Sequence, residues 1–221
     1  MGGPNIDIDE KGIGVFLGKY PFVDVYCMYS GEVSFSNIIQ LCLENPTKNT
    51  RVEMLRSAPV SGGYSLFKGN LLGSPSNSKD SDLDFIPSPY LTGTLDPFLK
   101  EGFIPLIETN RGCPFLCTFC VWGVPALNKI QRFSMDRVYR DLDYVTQIGE
   151  NYPQLVFADA NFGILKRDVD IAKHIRKVYE NTHTFASIEV YWSKSAQEHI
   201  VEIGRTLGHL TNTYIAFQSL D

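Results

Sequence analysis

The stretch Phe103-Ile104-Pro105-Leu106-Ile107-Glu108-Thr109-Asn110-Arg111-Gly112-Cys113-Pro114-Phe115-Leu116-Cys117-Thr118-Phe119-Cys120 runs from an apolar strand candidate directly into a loop that holds three of the chain's five cysteines. Residues 103 to 108 are short, apolar and closed by turn formers, which predicts a buried strand. Thiolates at i, i+4 and i+7 on a short irregular loop can converge on one soft metal centre. Three protein ligands leave a tetrahedral position, or one iron of a cluster, open to another molecule. An open position belongs to a catalytic site more readily than to a structural one, which closes all four.

Downstream of this loop the pattern becomes regular. Ser134 caps a helix with Val138, Leu142, Val145 and Ile148 at helical spacing, and Gly149 stops it. A strand at Leu155-Val156-Phe157-Ala158 follows, then a helix with Ile171, Ile175 and Val178 on one face that ends near Asn181. The next strand is Phe185 to Tyr191. Ser195-Ala196-Gln197-Glu198 forms a capping box for a helix with Ile200, Ile203 and Leu207, ended by Gly208, and a last strand spans Thr213 to Phe217. Strands alternating with single amphipathic helices predict an α/β fold with a parallel sheet and right-handed crossovers, whose reactive groups gather at the carboxyl ends of the strands. Cys113, Cys117 and Cys120, with Asp159, Asn161, Glu189 and Gln218, are the residues this reading puts at or near those ends.

Upstream, composition divides the chain into two further regions. Residues 1–45 read as a small α/β piece, with a strand at Val23 to Met28 and a helix from Ser36 to Leu43 that presents Ile39 and Leu43 on one face. Residues 46–100 are rich in Gly, Pro and Ser breakers around a strand at Tyr64 to Lys68, so they read as a connector with a hairpin. Residues 101–221 form the regular βα series. With 43% hydrophobic residues the chain can build a core, and a net charge of −5 with scattered lysines and arginines gives no footprint for nucleic acid or an anionic membrane. No stretch approaches the roughly 18 apolar residues of a spanning helix. An odd cysteine count, with three clustered, favours metal binding in a reducing compartment over a disulfide framework, and the cytoplasm is the expected location.

Cys-x3-Cys-x2-Cys, with aromatic Phe119 directly before the last cysteine and placed after the first strand of a βα series, resembles the radical S-adenosylmethionine (SAM) enzymes. The resemblance implies that Cys113, Cys117 and Cys120 hold a 4Fe-4S cluster whose open iron chelates SAM, and that reductive cleavage then yields a 5′-deoxyadenosyl radical. It places Phe119 near the adenine. Asp159-Ala160-Asn161 stands where the family's second strand presents groups, usually Gly-Gly-Glu, to the methionine amino end. Glu189 and Gln218 match strand-end positions facing the ribose and carboxylate.

A narrower resemblance rests on Asp82 to Tyr90, Glu108 to Cys113, Phe157 to Phe162 and Gln218 to Asp221, which are similar to the cobalamin-binding branch of that family. There a Rossmann-like cobalamin domain precedes the barrel, and Gly2-Gly3 resembles its glycine pair. The implied fold is a partial TIM-like barrel of radical SAM type, truncated after about four strands. Residues 1–45 would be the C-terminal remnant of the cobalamin-binding domain and 101–221 the first part of the radical SAM core. The implied activity is cobalamin-dependent methylation or related radical chemistry on a small-molecule or peptide substrate, with a reducing donor such as flavodoxin or ferredoxin. The chain is therefore expected to be an internal piece of a longer protein and poorly soluble alone. The alternatives are an iron-sulfur electron carrier or sensor without SAM chemistry, and a three-cysteine zinc site.

Overall fold

A computed structural model describes residues 9–28, 31–45, 47–58, 60–74, 83–120, 128–195 and 198–212. The chain divides into two units, Met1–Lys79 with Thr118–Trp122, and Asp80–Cys117 with Gly123–Asp221.

In the first unit, α1 (Glu10–Lys19) starts at Asp9, whose carboxylate accepts from the Gly12 N–H at 2.9 Å. It buries Ile13 and Leu17 against Tyr26, Met28 and Tyr64. β1 (Tyr26–Cys27), α2 (Glu32–Glu44), α3 (Lys48–Ser57), β2 (Gly63–Phe67) and β3 (Asn70–Ser74) follow. The strands form an antiparallel sheet in the order β1-β2-β3. Lys68 and Gly69 both take positive φ, 50° and 80°, so the β2–β3 hairpin turns on two residues. Lys68 thus leaves the strand expected to contain it. The helix expected from Ser36 to Leu43 is longer at both ends, and its Ile39 and Leu43 are exposed.

The second unit begins with Leu83 and the short α4 (Asp96–Lys100), then β4 (Leu106–Ile107), β5 (Asn110–Arg111) and β6 (Gln131–Arg132). α5 (Met135–Ile148), β7 (Leu155–Phe162), α6 (Asp168–Thr182), β8 (Ile188–Trp192), α7 (Glu198–Leu207) and a 3-10 turn at Gly208–Leu210 complete it. β4, β7 and β8 form a parallel sheet in that order, with Leu106 beside Val156 and Leu155 beside Ile188. A parallel bridge from Ile188 to Thr211 extends pairing beyond β8. β5 and β6 pair antiparallel at the base of the cysteine loop.

The helix reading holds because each helix has an apolar face long enough to bury. Val138, Leu142 and Val145 of α5, Ile171, Ile175 and Val178 of α6, and Ile203 and Leu207 of α7 join Leu155, Phe157, Ile188 and Val190 in one core. Ser134 Oγ accepts from the Arg137 N–H at 3.1 Å, as its capping role requires. β4 is shorter than expected from residues 103 to 108. On its outer side the buried Tyr90 hydroxyl donates to the Leu106 carbonyl at 2.7 Å and accepts from the Leu106 N–H at 3.0 Å, which satisfies an edge that has no strand partner among the described residues.

The architecture is a mixed α/β fold. Among the described residues the parallel strands make an open three-stranded sheet and no closed barrel. The strand expected at Thr213–Phe217 lies outside the described residues, as do Gly2, Gly3 and Gln218. No helix among the described residues is long and apolar enough to cross a membrane.

Candidate functional site

β7 organises the site. Its side chains alternate, with Leu155, Phe157, Asp159 and Asn161 buried while Ala158 and Ala160 are exposed. The apolar half of that face fills the core. The polar half, Asp159 and Asn161, meets the chain leaving β4 for the cysteines.

Asp159 is 0% exposed. Its Oδ1 accepts from the Thr109 N–H at 2.7 Å and the Asn110 N–H at 3.2 Å, while Oδ2 accepts from the Asn110 amide at 2.8 Å and from the Thr109 hydroxyl. Burial pushes its carboxyl up to about 6, against the opposing pull of the donors on Thr109 and Asn110. Both oxygens are therefore engaged in holding residues 109 and 110. The resemblance sets Asp159 towards the methionine amino end, and in the structure its side chain is directed to the root of the cysteine loop.

Arg167 holds the same root from the other side. One guanidinium nitrogen donates to the Phe133 carbonyl at 2.6 Å and another to the Thr109 carbonyl at 2.8 Å. The Phe133 N–H also donates to the Thr109 carbonyl, at 3.1 Å, so one carbonyl ties β4, β6 and the turn before α6 together. Next to Arg167, Asp168 Oδ2 accepts from the Gly163 and Leu165 N–H groups at 2.9 and 3.0 Å, closing the turn between β7 and α6. Gly163 has a φ of +87°, and a Cβ there would meet Ile200 at 3.0 Å, so the turn requires glycine.

The three thiols sit in different surroundings. Cys113 is buried, and Asn161 Nδ2 donates to its sulfur at 3.1 Å. Cys117 is half-buried, with the Lys194 ammonium 3.6 Å from its sulfur. Cys120 is half-buried and belongs to the first unit, and Phe119 beside it is exposed. Among the described residues no three His, Cys, Asp or Glu side chains stand together as a metal-binding group. The donor chemistry nevertheless suits a cluster: three thiols outside any disulfide lie on one loop, with an amide N–H at one and an ammonium at another, both complementary to metal-bound thiolate. Asn161 Oδ1, buried and without a hydrogen-bond partner, leaves an acceptor for an incoming cationic or N–H group.

Glu189 stands elsewhere. It is the second residue of β8, beside Val156, and its carboxylate accepts from Gln154 Nε2 at 3.3 Å, towards the amino end of the parallel strands. The strand reading started three residues before the observed strand, which made Glu189 look closer to the carboxyl end than it is. Thr109, Arg167 and Lys194 were missed. Lys194 follows the end of β8 by two residues, so the strand-end rule that selected Asn161 could have selected it.

No family model matches the chain. Among curated proteins it is 30% identical to a 2-(S-pantetheinyl)-carbapenam-3-carboxylate methyltransferase of Streptantibioticus cattleyicolor, over 100% of this chain and 32% of that protein. It is 29% identical to the cobalamin-dependent radical SAM methyltransferase TokK of Streptomyces tokunonensis, again over 100% of this chain and 32% of the relative. The chain thus spans about a third of the length of the curated relatives it matches. The fold resembles a solved structure of the radical SAM methyltransferase TsrM of Kitasatospora setae, containing cobalamin and a [4Fe-4S] cluster, with a TM-score of 0.59 at 13% identity over 94% of this chain and 40% of that one. The relatives bear out the resemblance to the cobalamin branch drawn from Asp82 to Tyr90, Glu108 to Cys113, Phe157 to Phe162 and Gln218 to Asp221.

Proposed function

We propose, from homology to cobalamin-dependent radical SAM methyltransferases along the whole chain, that these residues carry the cluster-binding part of such an enzyme. The observation that supports this most is the cysteine loop itself, rooted by Asp159 and Arg167 at one end of a parallel sheet, with Asn161 and Lys194 donating to two of its sulfurs. Cys113, Cys117 and Cys120 would hold a 4Fe-4S cluster, and the iron they leave open would take the amino and carboxylate groups of SAM. Bound there, the cluster supplies the electron for reductive cleavage of SAM, and cobalamin supplies a methyl carrier.

The chain's own residues bind and orient. Asp159 and Arg167 hold residues 109 and 110, so the chain that carries the first ligand leaves an anchored strand end. Asn161 Oδ1 is the group placed to accept from the methionine ammonium, since it is buried and unpartnered. Phe119 is assigned to the adenine by its place before Cys120. Residues 1–45 are assigned to the end of a cobalamin-binding domain and 101–221 to the first part of a radical SAM core, a partial barrel. The substrate is assigned to the small molecules, and the electron donor to the flavodoxin or ferredoxin class, in a reducing compartment.

The test is anaerobic reconstitution with iron and sulfide, followed by dithionite and SAM, with chromatography of the products. Formation of 5′-deoxyadenosine, or of S-adenosylhomocysteine during methyl transfer, is expected. A fully loaded protein that leaves SAM intact with reductant and cobalamin present would refute the reading and leave an electron carrier or sensor.

A further inference from the structure

The three cluster ligands are not equivalent, and the difference lies in one hydrogen bond. Cys113 is the buried thiol of the three, and its sulfur accepts from Asn161 Nδ2 at 3.1 Å. Asn161 itself is 2% exposed. The backbone that carries it is held at the next residue of β7. Phe162 pairs with Trp192 of β8, and its carbonyl accepts from the Ser193 N–H at 2.9 Å. The Asn161 carbonyl takes the Ile164 N–H at 3.2 Å in the turn that follows.

Chemistry fixes which end of the amide faces the sulfur. A metal-bound thiolate has no proton and can only accept, so the amide must offer N–H and turn its oxygen away. Lys194 beside Cys117 is an exposed, solvent-screened contact, whereas the amide bond lies in a dry site where its electrostatic effect is larger.

We propose that Asn161 is a positioning residue for Cys113 whose N–H···S bond raises the reduction potential of the cluster. One-electron reduction adds negative charge that spreads onto the ligand sulfurs, so a donor at Sγ binds the reduced form more tightly than the oxidised one and shifts the equilibrium towards it. The inference rests on the cluster assignment made above and extends it to a residue outside the ligand triad.

The experiment is an EPR-monitored redox titration of the anaerobically reconstituted protein, comparing unsubstituted protein with Asn161→Leu, which keeps similar bulk and removes the N–H. The reduced cluster of the variant is expected to be disfavoured about tenfold, a potential lower by about 59 mV for a one-electron couple. The potential is read on whatever fraction of the variant loads, so a lower occupancy does not obscure it. Phe162→Leu serves as control, because it loosens the same strand without touching the sulfur, and its potential is expected to stay in place. An unshifted Asn161→Leu, or an equal shift in both variants, would overturn the proposal. Absence of any cluster signal in the unsubstituted protein would instead defeat the functional reading on which it rests.

Discussion

Replacing Asp159 by alanine isolates the device that holds the cysteine loop. The carboxylate receives two backbone N–H groups, from Thr109 and Asn110, together with the Asn110 amide and the Thr109 hydroxyl. After truncation the Asn110 amide retains the Thr109 hydroxyl as acceptor at 3.3 Å, but the two backbone donors are left buried and unpaired. Each such group costs about 1–3 kcal/mol, so Asp159→Ala should destabilise the fold by about 4 kcal/mol. That is a large share of the roughly 5–15 kcal/mol that holds a domain together. Urea unfolding followed by circular dichroism measures it, and a loss below about 1 kcal/mol would refute the anchoring role. A second arm uses pH. Burial raises the Asp159 carboxyl from 3.8 in the unfolded chain to about 6 in the folded one. Between those values the folded state holds a proton that the unfolded state has lost, so this group's contribution to stability is greatest below pH 4 and declines as pH rises through 6. Over that window the decline is about 3 kcal/mol. Asp159→Asn, which has no proton to lose, should remove this part of the pH dependence, and an unchanged profile would contradict the assignment.

Three further substitutions probe the surrounding structure. Arg167→Met removes two charge-assisted bonds, to the Phe133 and Thr109 carbonyls, and should cost about 2 kcal/mol in chemical denaturation while lowering iron content after reconstitution. Tyr90→Phe strips the hydroxyl that serves both backbone groups of Leu106, and should cost about 2 kcal/mol with faster amide exchange along β4. Ser134→Ala removes the N-cap of α5 and should cost about 1 kcal/mol with no effect on iron loading, which separates helix stability from the site.

What was legible in the sequence was what repeats locally. Val138, Leu142 and Val145, and then Ile171, Ile175 and Val178, recur at helical spacing, so α5 and α6 could be read with their buried faces. The cysteine loop was legible because three rare residues at fixed spacing are themselves the signal. Strand ends were harder. β7 continues through Phe162, four residues beyond the expected end, because Asp159 and Asn161 are polar yet point into buried, hydrogen-bonded positions that a hydropathy pattern takes for a turn. The role of Asp159 was hidden for a related reason: its partners Thr109 and Asn110 lie 50 and 49 residues away, and nothing local announces them. Arg167 likewise reaches Thr109 across 58 residues. Lys194 is legible in principle, by its place after β8, although no motif marks it.

Cys113, Cys117 and Cys120 are proposed to hold a cluster with one iron open to SAM. The most direct measurement is the EPR spectrum of the dithionite-reduced, reconstituted protein before and after SAM is added, alongside Cys113→Ala, Cys117→Ala and Cys120→Ala. The expected result is a 4Fe-4S signal that changes shape on SAM addition and is lost or severely diminished in each variant. A fully loaded cluster whose spectrum is indifferent to SAM, or a signal that survives loss of any of the three cysteines undiminished, would contradict it.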